Sequence, residues 1–142
     1  AEWLLGAVAG GPDPFCVSEY DPDAHAIFAR NTRAAEFAER VAFLAATGAP
    51  HSVTTSRTAF LGPRGDMDAP AALARWNLGE RRRSAGDGCA AFQTHIDLAP
   101  GETARVAFAL GQGADRAEAR ALAEGWRDLA RVEAELGRVE AC

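Results

Sequence analysis

Residues 89–113, CAAFQTHIDLAPGETARVAFALGQG, constrain the fold of this chain more than any other stretch. Phe92, Ile96 and Leu98 alternate with Gln93, His95 and Asp97. After a break, Val106, Phe108 and Leu110 alternate with Arg105, Ala107 and Ala109. Successive side chains of a strand point to opposite faces, so this pattern predicts two half-buried strands. The connection Ala99-Pro100-Gly101-Glu102 places Pro where φ is fixed near about −65° and Gly where φ must be positive, the requirement of a type II turn. The expectation is a β-hairpin, and with it a mainly β fold.

Other segments extend that expectation. The stretch Glu2-Trp3-Leu4-Leu5-Gly6-Ala7-Val8 reads as a first strand, broken by Gly10-Gly11-Pro12-Asp13-Pro14. Residues 15–20 and 25–30 read as a second hairpin around Asp21-Pro22-Asp23-Ala24. Residues 31–39 lack alternation and read as a loop with a helical turn. Residues 40–46 (RVAFLAA) are apolar on both faces, as in a buried strand, and 51–55 form a short Thr- and Val-rich strand. From 57 to 88 the pattern is broken by glycines and prolines, with one helix expected at 70–76. So long an irregular segment points to a functional or interface loop. The tail changes period: Asp115 is an N-cap with Glu118 three residues on, and Ala119, Leu122, Trp126, Leu129, Val132 and Leu136 share a stripe until Gly137. One amphipathic helix of about six turns is expected there.

At 142 residues with 48% apolar composition, the chain has the length of one domain and the means to bury a core. A net charge of −5 argues against nucleic acid as a partner, and Arg81-Arg82-Arg83 is the one dense basic run, read as a solvated loop. Every basic residue is Arg, which with the abundant Ala fits a GC-rich bacterial genome and carries no functional meaning. No apolar run is long enough to span a bilayer, and no signal peptide is visible. The chain opens at Ala1 in a strand-like segment without an initiator Met, as expected of a piece of a longer polypeptide. Cys16, Cys89 and Cys142 are odd in number and lack metal spacing, so they read as free thiols.

No nucleophile elbow, Walker loop or dinucleotide motif occurs. Asp21, Asp23 and His25 are explained by turn chemistry, without enough ligands for an ion. His51 and His95 alternate outward with no nucleophile at a motif spacing. The Gly111-Gln112-Gly113 triplet could turn amides toward an anion, but a strand-to-helix turn also calls for glycine. No catalytic residue, metal site or cofactor is assigned. Breaking a glycosidic bond would need a poised carboxylic acid, and Glu2, Glu19, Glu36 and Glu39 lie on strands or turns without a visible charge partner.

The hairpin residues, with the Gly86-Asp87-Gly88-Cys89-Ala90-Ala91 loop, the LAPGET turn and Leu110-Gly111-Gln112-Gly113, resemble the end of the β-sandwich domain of glycoside hydrolase family 94, the cellobiose phosphorylase group. They are most similar to the phosphorylase-type region of cyclic β-1,2-glucan synthases. Three more segments fit in order: Glu2-Trp3-Leu4-Leu5-Gly6; Ala29-Arg30-Asn31 with residues 36–43; and Arg57-Thr58-Ala59-Phe60-Leu61-Gly62. The resemblance covers about residues 2–125 and implies an antiparallel β-sandwich, partial and supersandwich-like, over 1–113, with a C-terminal amphipathic linker helix over 114–142. It further implies a parent protein acting on β-glucosides or cyclic β-1,2-glucan, cytoplasmic or on the cytoplasmic side of the inner membrane. The catalytic acid of that family lies in a helical barrel, which this chain is too short to contain. The chain itself would be a non-catalytic, carbohydrate-associated domain whose partners are that barrel, a β-glucan or glucoside, and a second copy in a homodimer. By resemblance, Arg57, Phe60 and Trp76 are candidates for carbohydrate or interface contact, although Phe60-Leu61 before Gly62-Pro63 also reads as a plug closing the sandwich. The alternative is an autonomous carbohydrate-binding module. The scatter of Trp3, Trp76 and Trp126 along the sequence does not suggest the aromatic platform such a module would use.

Overall fold

The computed structural model describes residues 1, 3, 5, 15–33 and 37–140. The expected Gly and Pro break before residue 15, Glu2, Glu36 and Cys142 lie outside the described residues, as does most of the expected strand over 2–8. Among the described residues there are seven strands: β1 (Cys16–Asp21), β2 (Ala26–Asn31), β3 (Val41–Ala46), β4 (Ser52–Ser56), β5 (Arg83–Ala85), β6 (Gly88–Gln93) and β7 (Phe108–Gly113). Three helices accompany them: α1 (Arg57–Leu61), α2 (Arg116–Gly125) and α3 (Leu129–Glu140). The strands form a five-stranded antiparallel sheet in the order β5-β1-β2-β3-β7 and a two-stranded sheet of β4 and β6.

The large sheet is the middle layer of three. On one face Phe28, Val41, Phe43 and Ala45 pack against Ala119 and Ala123 of α2. On the other, Ile27 and Ala29 pack with Cys16, Trp3 and Ala90, and with the half-buried Phe92 of the small sheet. The two faces of β3 feed both layers, Val41, Phe43 and Ala45 one way and Ala42 and Leu44 the other, as its uninterrupted apolar run requires. The backbones of Ala1 and Trp3 run beside β6: Ala90 N–H donates to Ala1 O at 2.8 Å and Trp3 N–H to Gly88 O at 3.5 Å. Cys16 and Cys89 are buried.

The second hairpin forms as β1 and β2, and Asp21 closes its turn by accepting from the N–H groups of Asp23 and Ala24 at 3.0 and 3.2 Å. The hairpin expected over 89–113 does not form. Its turn is present, with Gly101 at φ 86° and Glu102 N–H donating to Ala99 O at 3.0 Å. The strands either side belong to different sheets, however: β6 pairs with β4 and β7 with β3. The LAPGET turn is thus an arch between layers. Phe92 and Phe108 face each other with ring centroids 6.2 Å apart and planes 14° off parallel. The expected alternation holds only in part: β6 ends at Gln93, Ile96 and Leu98 are exposed outside any strand, and in β7 Phe108 and Leu110 are exposed while Ala109 packs on the core. Proximity in sequence was also the wrong guide to pairing.

Gly111 and Gly113 are needed for close approach, which the sequence reading did not foresee. A Cβ on Gly113 would lie 2.4 Å from the amide nitrogen of Ala119, and one on Gly111 would lie 2.7 Å from the ring of Phe43. The absence of side chains lets α2 and Phe43 sit on β7. The helix begins as its sequence indicates: Asp115 accepts from Glu118 N–H at 2.8 Å, and Glu118 reaches back to the amide of Ala114.

The tail is two helices rather than one. The chain leaves helical geometry at Trp126, and Asp128 starts α3 by accepting from Ala130 N–H at 2.9 Å. Gly137, the expected stop, lies inside α3. The small residues Ala119 and Ala123 are what α2 buries, while Leu122 and Leu136 on the expected stripe stay exposed. In the 57–88 segment, α1 and β5 are additions to the sequence reading, and the helix expected at 70–76 shortens to a 3-10 turn over Ala71–Ala74.

Candidate functional site

The three contact candidates separate into two places. Ser56 caps α1 by accepting from Ala59 N–H at 3.2 Å. That single turn sets Arg57 and Phe60 on the rim of a cavity of about 260 Å³, with Met67, Cys89 and Ala90 among its other walls. Arg57 N–H donates to Asp87 O at 3.2 Å and Thr58 Oγ1 meets Asp87 Oδ2 at 3.2 Å, so the Gly86-Asp87-Gly88 loop anchors the start of α1. Leu61 is buried in the core, whereas Phe60 is only half-buried. The plug and the rim are therefore adjacent residues.

Trp76 lies outside that cavity and is 74% exposed. Its neighbours are His51 and His95. The two imidazoles stack with centroids 3.8 Å apart and planes 18° off parallel, and the indole is 4.2 Å from His95 and 5.5 Å from His51. Strand pairing explains the grouping: Ser52 is opposite Gln93, so His51 and His95 lie just past one end of the same two-stranded ladder. With β6 assigned to β7, the sequence reading had no way to bring the histidines together.

A second concavity, about 290 Å³, opens on the helix side of the large sheet, with Glu19, Arg30, Glu39, Arg83 and Arg116 on its walls. Arg116 spans it. Its guanidinium lies 3.7 Å above the centre of the Phe28 ring and pairs with Glu19 at 3.2 Å and Asp21 at 3.5 Å. Arg120 holds Asp21 at 2.7 Å and Glu124 at 2.8 Å. Glu19 thus has the charge partner that the sequence did not show. Asp21 is committed to structure at both oxygens, one to the hairpin turn and one to the arginines. The Arg81-Arg82-Arg83 run is exposed, and Arg82 pairs with Glu80 at 3.0 Å.

His25, at φ 47°, ends the same turn. Burial, and secondarily the positive charge of Arg127, push its imidazole below the usual histidine range. Its Nε2 is 3.4 Å from the Arg127 guanidinium, and a neutral ring can accept there.

A mainly antiparallel β fold with a few helices is consistent with the comparison to known families. The family model for the supersandwich domain of glycosyl hydrolase 94 matches residues 1–129. The chain belongs to this family. The supersandwich domain is also similar to the cyclic beta-(1,2)-glucan synthase NdvB of Rhizobium meliloti, 35% identical over 128 residues. The match takes in 89% of this chain and 4% of that protein, so the chain spans a small part of its relative's length. Among the described residues, no helix is long and apolar enough to cross a membrane.

Proposed function

We propose that this supersandwich domain is a non-catalytic, carbohydrate-associated part of a larger protein that acts on β-glucosides or cyclic β-1,2-glucan. The observation that carries this reading is the 35% identity to a cyclic β-1,2-glucan synthase over nearly the whole chain. In that setting a helical-barrel catalytic domain supplies the acid that protonates the leaving oxygen, and the sandwich supplies scaffold and contact surface. Two features of the molecule support a contact role. Glu19, a carboxylate on the wall of the cavity beside α2, is held by Arg116. Ile96, Leu98, Phe108 and Leu110 of the arch and β7 are exposed apolar side chains suited to a partner. This reading sets the parent in the cytoplasm or on the cytoplasmic side of the inner membrane and includes a homodimer as a further assembly.

A second reading, an autonomous carbohydrate-binding module, draws on one observation: Trp76 stands exposed among two other rings. Activity and affinity separate the two. The isolated chain should release no glucose 1-phosphate from cellobiose, sophorose or linear β-1,2-glucan in phosphate buffer. Turnover that persists through repurification and disappears with one carboxylate substitution in this chain would overturn the non-catalytic reading. Binding of those sugars tighter than about 1 mM would favour the autonomous module.

A further inference from the structure

Trp76 is exposed, yet the chain around it is fixed. Leu78 is 3% exposed, and its N–H donates to Ser52 Oγ at 2.9 Å. Ser52 Oγ donates in turn to Gln93 Oε1 at 2.8 Å, and Gln93 Nε2 donates to Arg75 O at 3.1 Å. The residues flanking the indole are therefore tied to β4 and β6 by one connected set of hydrogen bonds. His51 is pinned as well, its N–H donating to Gln93 O at 2.8 Å. A large apolar ring is held in water in one place, backed by two stacked imidazoles. Its ordering is largely complete before any ligand arrives, which is the condition under which a small contact gives measurable affinity.

We infer that Trp76, braced by His51 and His95, is a stacking platform for a single β-glucosyl residue. This inference rests on the carbohydrate-associated reading above and gives it a location. An all-equatorial β-glucosyl ring presents flat C–H faces that suit an indole, and its hydroxyls both donate and accept, as a neutral imidazole does. The surroundings fit a sugar better than a protein surface. Arg75 and Asn77 are exposed, and their side chains are spent locally: Arg75 Nη1 donates to Ala59 O at 3.0 Å and Asn77 Oδ1 accepts from Gly79 N–H at 3.0 Å. The ring thus stands between polar neighbours, whereas a stable protein interface buries a contiguous apolar centre. One ring and few convergent hydrogen bonds give weak binding, with Kd of about 1–10 mM.

The test is a titration of the isotope-labelled chain with sophorose and with a linear β-1,2-glucan oligosaccharide, using maltose for comparison. The Trp76 indole N–H resonance should move and saturate in the millimolar range. The indoles of Trp3 and Trp126 should stay in place. Trp76→Ala should weaken binding at least about tenfold with the fold intact by circular dichroism, and Trp76→Phe should retain part of it. His95→Ala, which removes the brace but leaves the indole, should fall between wild type and Trp76→Ala. A Trp76 resonance that never moves, or undiminished binding by Trp76→Ala, overturns the inference. Shifts confined to Arg57 and Phe60 would also overturn it while leaving the carbohydrate-associated reading in place. Release of glucose 1-phosphate would instead defeat the non-catalytic reading and leave the platform to be judged by these shifts.

Discussion

The two faces of the five-stranded sheet solve the same problem differently. On the helix face, Phe28 lies between the Phe43 ring at 6.3 Å and the Arg116 guanidinium at 3.7 Å, and α2 closes the layer with alanines. On the other face, among the described residues, two strands oppose five. The layer thins toward β7, where Phe108 is 53% and Leu110 67% exposed although Leu110 is opposite Leu44 in register. Both faces carry apolar side chains, but among the described residues the helix face is the better covered. Where the sheet is dry, side chains hold the fold together. Where it is open, the same residue types are available to something else.

The sharpest way to break that contrast is to truncate one residue on each face. Phe28→Ala removes a fully buried ring and strands a guanidinium over a void, and should cost about 3–5 kcal/mol in chemical denaturation. Leu110→Ser should change stability by no more than about 0.5 kcal/mol. Equal losses at both positions would mean that the β7 face is covered in solution, for instance by a second copy. Size-exclusion chromatography with light scattering would then show it.

A smaller effect is expected at the seam between β7 and α2. Gly113→Ala puts a methyl against the Ala119 backbone, which cannot yield without lifting the helix from the sheet. The expected loss is about 1–3 kcal/mol, with faster amide exchange in α2 than in β2. Exchange that rises equally in both elements would show that helix and sheet open as one unit, so that the covered face is not a separable layer.

Turn chemistry, the helix cap and the buried run of β3 were legible in the sequence; pairing was not. The RVAFLAA run, the Asp21 turn, the Ala99–Glu102 turn and the Asp115 cap each rest on residues within a few positions of one another, and each forms as expected. The assignment of β6 to β4 depends on residues some forty positions apart, Ser52 and Gln93 among them, and nothing local encodes it. That one omission concealed the arch and the His51, His95 and Trp76 cluster together. The break at Trp126 had a local signal in Asp128, but the continuing apolar stripe outweighed it. The double role of Glu19, half-exposed on a strand yet paired with Arg116, follows from where α2 docks, and so it too was out of reach of local reasoning.

The smallest expected effect concerns His25, at the rim of the covered face, and it is a matter of sign. Burial first, and Arg127 second, hold its folded pKa below the unfolded value, so the unfolded chain binds the proton more readily. Above the ordinary histidine range both states are neutral and the group is without effect. As pH falls through the unfolded value and then the lower folded one, protonation draws the equilibrium toward the unfolded state and stability is lost. His25→Asn removes the titration, and Asn tolerates the positive φ of 47° at this position. Wild type should therefore lose slightly more thermal stability than His25→Asn between about pH 7.5 and about pH 5, with the two close together at the upper end. The comparison between the two proteins cancels the carboxylate titrations they share. A wild type that instead gains on the variant during acidification would mean that the imidazole has found an anionic partner, and that the rim of the covered face is more open than its burial indicates.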